Sequence, residues 1–370
     1  MLIVACTSNQ TDIYTEEKAD TQIVEKSTIT HAKGFSINVV DGFKIITINN
    51  IDKAKSPSHK YILYRRDKKS AIKSCNDCIP IKIPIQKAIF LSTALVPFSN
   101  QIGVNNSIVG ISYPKYVKNA NVKQQIADGK IKNVGAPGKL DYETIVSLKA
   151  DVIITNPITS KELNKLRELG ITTIINAEYL ETTPLGRAEW IKFMAHFYNK
   201  EEEAIAFFNQ LVKRYETYKA LTNKLDKPSV FAGRIQNGVW YVPGGDSYVA
   251  RFFEDAGANY IWKDNTKSGS IPLEFESVLA KAKAADFWRI LTYSNESFTY
   301  LKFYEEDNRY SNFKAFKEKK VIESNLKKVD FYGQGLLEPD IILADLINIF
   351  HPGLLDNHQA KYYALITDGN

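Results

Sequence analysis

Between residues 87 and 350 the chain twice runs through the same alternation of short apolar stretches and helical ones, and no other feature limits its fold as much. Stretches 88–91, 108–112, 151–155 and 171–175 read as strands in the first pass; 230–232, 286–288 and 321–322 do so in the second, which closes on a helix from about 340 to 350. Apolar strands separated by helices argue for a parallel sheet with helices on both faces. The two passes carry matching marks in the same order. Gly103-Val104-Asn105 precedes Glu143-Thr144-Ile145 and Lys149-Ala150-Asp151; Gly257-Ala258-Asn259 precedes Glu276-Ser277-Val278 and Ala284-Ala285-Asp286, each aspartate opening a strand. A chain of 370 residues exceeds one ordinary core. The expected fold is therefore α/β: two lobes at 87–184 and 228–370, each a central, mostly parallel sheet flanked by helices. The segment between them, 185–227, places Ala204, Phe208, Leu211 and Tyr215 at helical spacing and predicts one long linking helix, interrupted near Asn199-Lys200. Any ligand is expected in the crevice between lobes, at the carboxyl ends of the strands.

Before this core, residues 31–86 are strand-like. Phe35-Ser36-Ile37-Asn38-Val39 and Phe43-Lys44-Ile45-Ile46-Thr47-Ile48 flank an Asp41-Gly42 pair, the pattern of a hairpin, and further strands follow near 60–64 and 81–85. This predicts a β-rich extension packed on the first lobe. Cys75-Asn76-Asp77-Cys78 falls in a polar connection, where the two thiols can close a small surface disulfide in an exported protein, or act in redox chemistry or metal binding in a reducing compartment. A structural loop is the favoured reading. With only three cysteines, neither a disulfide scaffold nor a structural zinc site is expected.

Residues 1–30 read as a processing signal and tether. Ile3-Val4-Ala5-Cys6 resembles the bacterial lipobox, in which a signal peptidase cuts before a cysteine that then carries acyl chains, and a polar stretch follows directly. Cys6 is thus the expected lipidation site, although the basic and apolar regions that usually precede a lipobox are missing. No window reaches the roughly 18–20 apolar residues of a membrane span. Lysines and arginines exceed acids by 48 to 42 and are interspersed with them, so no basic stripe marks a nucleic-acid partner.

The run Val109-Gly110-Ile111-Ser112, then Val134-Gly135, then Leu140-Asp141-Tyr142-Glu143 through Asp151-Val152-Ile153-Ile154 resembles the substrate-binding proteins of ABC importers for iron–siderophores, heme and cobalamin. Thr183-Pro184-Leu185-Gly186-Arg187-Ala188-Glu189-Trp190, Tyr241-Val242-Pro243-Gly244-Gly245 and Pro339-Asp340 through His351-Pro352 look like the iron-complex branch found in Bacteroidetes-like bacteria. The likeness spans residues 87–352. It implies a monomer of two rigid lobes that move little, with no intrinsic cofactor or metal. Its setting would be the periplasm or cell envelope, held by a lipid anchor and passing a captured chelate to a permease dimer in the inner membrane. In that family one exposed glutamate per lobe meets an arginine pocket on each permease subunit; Glu143 and Glu276 match those positions. A carboxylate in a helix first turn is also favourable without any partner.

Residues following strand ends are the ligand candidates: Tyr113, Asn156, Arg234, Arg289 and Tyr293, with Trp240 and Tyr241 able to stack on a catechol or porphyrin. Arginines there suit an anionic chelate or a heme propionate. Trp240, Trp262 and Trp288 suit a core equally well. Cobalamin-binding relatives carry more aromatics where Pro137, Asn156 and Ser270 stand here, so a ferric siderophore is the expected ligand, with heme or cobalamin as variants. Enzymatic motifs are missing: there is no Gly-x-Ser-x-Gly elbow, phosphate loop or His-Glu-x-x-His. Of the five histidines, His351 and His358 are expected to decorate a surface helix. A chelatase-like enzyme would share the two-lobed architecture, and an adhesion protein would make the extension its working part.

Overall fold

A computed structural model describes residues 29–40, 42–49, 59–65 and 75–368. Cys6 and the lipobox lie outside the described residues. The extension is a four-stranded sheet of β1 (Phe35–Val40), β2 (Phe43–Ile48), β3 (His59–Arg65) and β4 (Ile79–Ile83), in that order. The expected hairpin forms, with Val40 opposite Phe43. Strands β3 and β4 run parallel, and a Cys75–Cys78 disulfide lies in the connection between them.

The first lobe contains β5 (Ala88–Phe90), β6 (Ile108–Ile111), β7 (Lys132–Asn133), the small hairpin β8 (Gly135–Ala136) and β9 (Lys139–Leu140), β10 (Val152–Thr155) and β11 (Thr173–Ile175). Its parallel sheet has the order β11-β10-β5-β6-β7. Helices α1 (Leu95–Gln101), α2 (Ala120–Ala127), α3 (Tyr142–Ser147) and α4 (Ser160–Glu168) cover it. All of β10 is buried, as expected of a strand covered on both faces.

The linking segment, anticipated as one helix, is built as two: α5 (Pro184–His196) and α6 (Glu201–Ala220). Asn199 adopts a left-handed φ of 55°, which ends the first helix and turns the chain into the second. Helix α6 packs on α5 and on a helix of the second lobe, α11 below.

The second lobe comprises β12 (Ser229–Ala232), β13 (Ile235–Gln236), β14 (Val239–Pro243), β15 (Asn259–Tyr260), β16 (Ser270–Leu273), β17 (Phe287–Thr292), β18 (Val321–Asn325) and β19 (Ala364–Leu365). Its helices are α7 (Tyr248–Asp255), α8 (Phe275–Ala282), α9 (Tyr300–Glu306), α10 (Lys314–Lys317) and α11 (Pro339–Phe350). The main sheet has the order β15-β12-β17-β18-β19, parallel except for β19, and β13-β14-β16 form a separate sheet.

The sequence repeat has a physical meaning. Four strands correspond across the lobes, β6-β5-β10-β11 and β15-β12-β17-β18. Asp151 lies just before β10 and its carboxylate accepts from the N–H groups of Gln86 and Lys87 (2.8 and 2.9 Å), at the entrance of β5. Asp286 does the same for β12, accepting from Ser229 N–H at 2.8 Å. Each aspartate ties the amino ends of two parallel strands, where backbone donors have no ladder partner.

The extension is fixed to α5. Phe35 meets Trp190 and Phe193 at ring distances of 4.9 and 5.4 Å. The buried Glu189 carboxylate accepts from the N–H groups of Thr30, His31 and Ala32 (2.9, 2.6 and 2.7 Å) and from Lys192 Nζ at 2.7 Å. Burial opposes its charge, but these donors outweigh burial and hold the carboxyl below its ordinary pKa. Glu181 accepts from Lys33 and Gly34 N–H in the same way, at 2.9 and 2.8 Å. Among the described residues no helix is long and apolar enough to cross a membrane.

Candidate functional site

In the first lobe, the carboxyl ends of β5, β6 and β10, with the β8–β9 turn and the start of α4, line a cavity of about 880 Å³. Tyr113, two residues past β6, takes a left-handed conformation, φ 55°, and stands half-exposed on its wall, its ring centre 6.4 Å from that of Tyr116. Asn156 follows β10. Its amide Nδ2 donates to the Asn176 carbonyl and to the Glu178 carboxylate, each at 3.2 Å. Glu178 is buried in a 3-10 turn (Glu178–Leu180), where burial pushes its pKa up to about 7 against the pull of Arg187 and its hydrogen bonds. Glu162 lines the same cavity. Burial works against its charge too, yet donation from Gly138 N–H (2.6 Å) and Thr159 Oγ1 (2.8 Å) keeps its pKa below the ordinary value.

In the second lobe a cavity of about 550 Å³ carries three arginines, Arg187, Arg234 and Arg289. Arg234 follows β12 through Gly233, whose φ of 92° and 2.0 Å separation between an added Cβ and the Tyr241 carbonyl admit only glycine. Its Nη1 donates to both Glu306 oxygens at 2.6 Å, and its Nε is buried without a partner. Arg289, the third residue of β17, is 4% exposed. Its Nε donates to Tyr363 Oη at 3.0 Å, its Nη2 has no partner, and no carboxylate pairs with it among the described residues. Arg187, in the first turn of α5, donates to the Glu181 and Tyr179 carbonyls (3.0 and 2.6 Å), and its guanidinium stacks 3.6 Å from the centre of the Tyr248 ring. The Tyr248 hydroxyl is also buried and unpartnered. Of seven buried side-chain polar atoms without partners among the described residues, three therefore belong to this one cavity.

A third cavity, of about 350 Å³, is lined from both lobes and shares Thr93 and Tyr116 with the first. Lys118 Nζ reaches across beside it to the Lys327 carbonyl at 2.7 Å.

Of the expected ligand residues, Tyr113 and Asn156 line the first cavity and Arg234, Tyr241 and Arg289 the second, but Arg289, expected just past a strand end, lies inside β17, because that strand runs on to Thr292. Two candidates fall elsewhere. Trp240 is fully buried: its ring stacks against Trp288 at 5.4 Å and its indole N–H donates to the Ala232 carbonyl. Successive residues of β14 face opposite ways, so Trp240 enters the core as Tyr241, 43% exposed, faces the cavity. Trp262 and Trp288 are core as well. Tyr293 is 58% exposed beside Lys327 and lines none of these cavities. His358, expected on the surface, is half-buried and bonds Asp345, whose carboxylate accepts from Tyr363 N–H at 2.9 Å and so sets the segment that meets Arg289. Sequence reasoning passed over Arg187, Glu178 and Glu162, which sit on helical turns instead of strand ends; Arg187 alone had a signal, being part of a quoted motif.

The family described as periplasmic binding protein matches residues 89–325. An uncharacterized lipoprotein of Methanocaldococcus jannaschii is 30% identical over 384 aligned positions, covering 95% of this chain and 87% of that one. A periplasmic heme-binding protein of Pseudomonas aeruginosa superposes with a TM-score of 0.58 at 18% identity, over 77% of this chain and 98% of its own. An ABC-type Fe3+-hydroxamate transport protein of Saccharomonospora viridis does so with 0.57 at 17%, over 72% and 94%. At such identities the likeness to solved structures establishes the fold.

Proposed function

This chain belongs to the periplasmic binding protein family, and we propose that it is a lipid-anchored, extracytoplasmic monomer that captures an anionic iron chelate, a ferric siderophore, and delivers it to an ABC permease. One observation carries the ligand class: the second-lobe cavity gathers three arginines and three buried, unpartnered polar atoms. A buried cation with no counter-charge is costly. Among the described residues Arg289, the most buried of the three, pairs with no carboxylate; Arg187 donates to two carbonyls and its charge reaches Glu178 without an ion pair, while Arg234 is paired with Glu306. A bound anion supplies both the missing charge and the missing acceptors. Tyr241 and Tyr332 offer ring faces at the same cavity. A triply anionic ferric tris-catecholate suits this balance better than an uncharged ferric hydroxamate. Pro137, Asn156 and Ser270 line the cavities where cobalamin binders carry aromatics, which weighs against a corrinoid.

Glu143 and Glu276 support delivery. Both are exposed in first turns, of α3 and α8, and both helices precede the aspartate-led strands, so the repeat makes them equivalent. No ion pair engages Glu143 among the described residues; Glu276 lies 3.8 Å from Arg309, which is held more closely by Asp307 at 2.6 Å. The name of the Methanocaldococcus relative supports anchoring through Cys6.

The test is tryptophan-fluorescence quenching of the full chain by ferric catecholate, ferric hydroxamate, heme and cobalamin, with Arg289→Ala alongside. Saturable quenching by the ferric catecholate, weakened in the variant, is expected. No response to any of the four, from protein that melts cooperatively, refutes the reading.

A further inference from the structure

The two cavities differ in sign. The second holds three arginines, whereas no lysine, arginine or histidine lines the first. Its hydroxyls, such as those of Tyr113 and Thr93, can turn to donate or accept, so its fixed polarity rests on Asn156 and Glu162. The Glu162 carboxylate can only accept. Once Glu178 is ionised, above about pH 7, Asn156 has one orientation that satisfies its neighbours: its NH2 must face the Glu178 carboxylate and the Asn176 carbonyl, since both are then acceptors. Asn176 Nδ2 in turn donates to Glu178 at 2.5 Å, which holds that carboxylate in place. Both amide protons of Asn156 are thereby used behind the wall. Its Oδ1 has no donor among the described residues, and Asn156 lines the cavity.

We infer that the first-lobe wall reads hydrogen-bond donors, so that the ligand is an anionic chelate bearing outward N–H or O–H groups on a face away from its arginine-bound charge. Asn156 makes the contact, and Glu178 is a positioning residue that keeps the Asn156 carbonyl oxygen turned outward. This rests on the iron-chelate reading and names a narrower class within it. Heme, whose edge carries no such donors, satisfies the arginines but not this wall.

The test uses two ferric tris-catecholates of equal charge, those of protocatechuamide and of its N,N-dimethyl amide, which share every acceptor and differ in the amide protons. They are titrated against the full chain at mildly alkaline pH. The N–H complex is expected to bind roughly threefold to tenfold more tightly, the range of one neutral hydrogen bond. Asn156→Ala should bring the two affinities together, erasing the threefold to tenfold preference. Glu178→Gln lets the Asn156 amide turn over and should shrink or reverse the preference, an outcome that general loosening of the fold does not produce. Saturable binding of both complexes with equal affinity overturns the inference and leaves the iron-chelate reading standing. Binding of neither, from a folded chain, overturns both.

Discussion

Replacing Arg289 by methionine should separate stability from binding. The guanidinium is 4% exposed, has one hydrogen bond, to Tyr363 at 3.0 Å, and leaves Nη2 without a partner. An unsatisfied buried donor costs about 1–3 kcal/mol, and the lost bond to Tyr363 is worth about 1 kcal/mol. Methionine fills similar space without charge, so the variant gains on the order of 1 kcal/mol when empty. For a chain of 370 residues, at about 2 cal/mol/K of unfolding entropy per residue, this raises Tm by about 1 °C. Binding should move the other way. Charge-assisted bonds to an anion contribute about 1.5–3 kcal/mol each. Losing two weakens Kd by roughly a hundredfold or more, at about 1.4 kcal/mol per factor of ten. Scanning calorimetry of the empty protein gives the first quantity, and fluorescence titration with the ferric catecholate gives the second. A fall in Tm with unchanged Kd refutes the reasoning, because Arg289 would then serve the fold and not the ligand.

Four further outcomes are expected. Folded Glu178 keeps its proton up to about pH 7, whereas the unfolded chain releases it near 4.5. The unfolded state then binds fewer protons in that window, so stability declines by up to about 3 kcal/mol as pH rises from 4.5 to 7, and denaturant titrations of Glu178→Gln should lose that slope. Trp240→Ala should cost about 3–5 kcal/mol as a core truncation, while Tyr241→Ala should leave stability within about 0.5 kcal/mol yet weaken chelate binding; calorimetry and titration of both variants check this. Glu189→Ala removes the acceptor of three backbone N–H groups, so amide exchange at Thr30, His31 and Ala32 should accelerate and stability fall by about 3 kcal/mol or more, at about 1–3 kcal/mol for each buried donor left unmade. Glu143→Arg with Glu276→Arg should abolish stimulation of permease ATPase activity while chelate affinity stays unchanged.

The lobes were legible because their strands are short, apolar and bounded by helices, and because a carboxylate at Asp151 and Asp286 is the simplest partner for backbone donors at a parallel sheet's edge. The linking segment was harder. Helix α5 is buried nearly all round, so its apolar residues form no stripe, and its break lies in the backbone of Asn199. Trp240 and Tyr241 are adjacent aromatics in one strand, and which of them faces inward depends on pairing with β13 across a tight turn and with the distant β16, where Trp240 stands opposite Leu273 and Tyr241 opposite Pro272. Arg187 was hidden for a different reason. It reaches the cavity from the linking helix, and rules about strand ends do not cover residues that arrive from between the lobes.

The extension bears on how the adhesion alternative can be tested. If the cleft does the work, the simplest expectation is that deleting residues 31–86 leaves ligand binding intact. In the folded chain, however, that deletion removes Phe35 from Trp190 and Phe193, and removes the backbone donors that Glu181 and Glu189 hold. It uncovers one side of α5, the helix whose first turn carries Arg187 into the cavity. Loss of binding after deletion would thus follow from a displaced Arg187 as readily as from a lost working part. Substitutions on exposed positions of the sheet, such as Pro80→Ala and Lys82→Ala in β4, avoid this because those side chains lie in solvent while Ile81 and Ile83 between and beside them are buried. If such changes leave chelate binding and melting intact but abolish attachment to a surface, the extension has a function of its own; if they change nothing, its role is to fix α5 and, through it, Arg187.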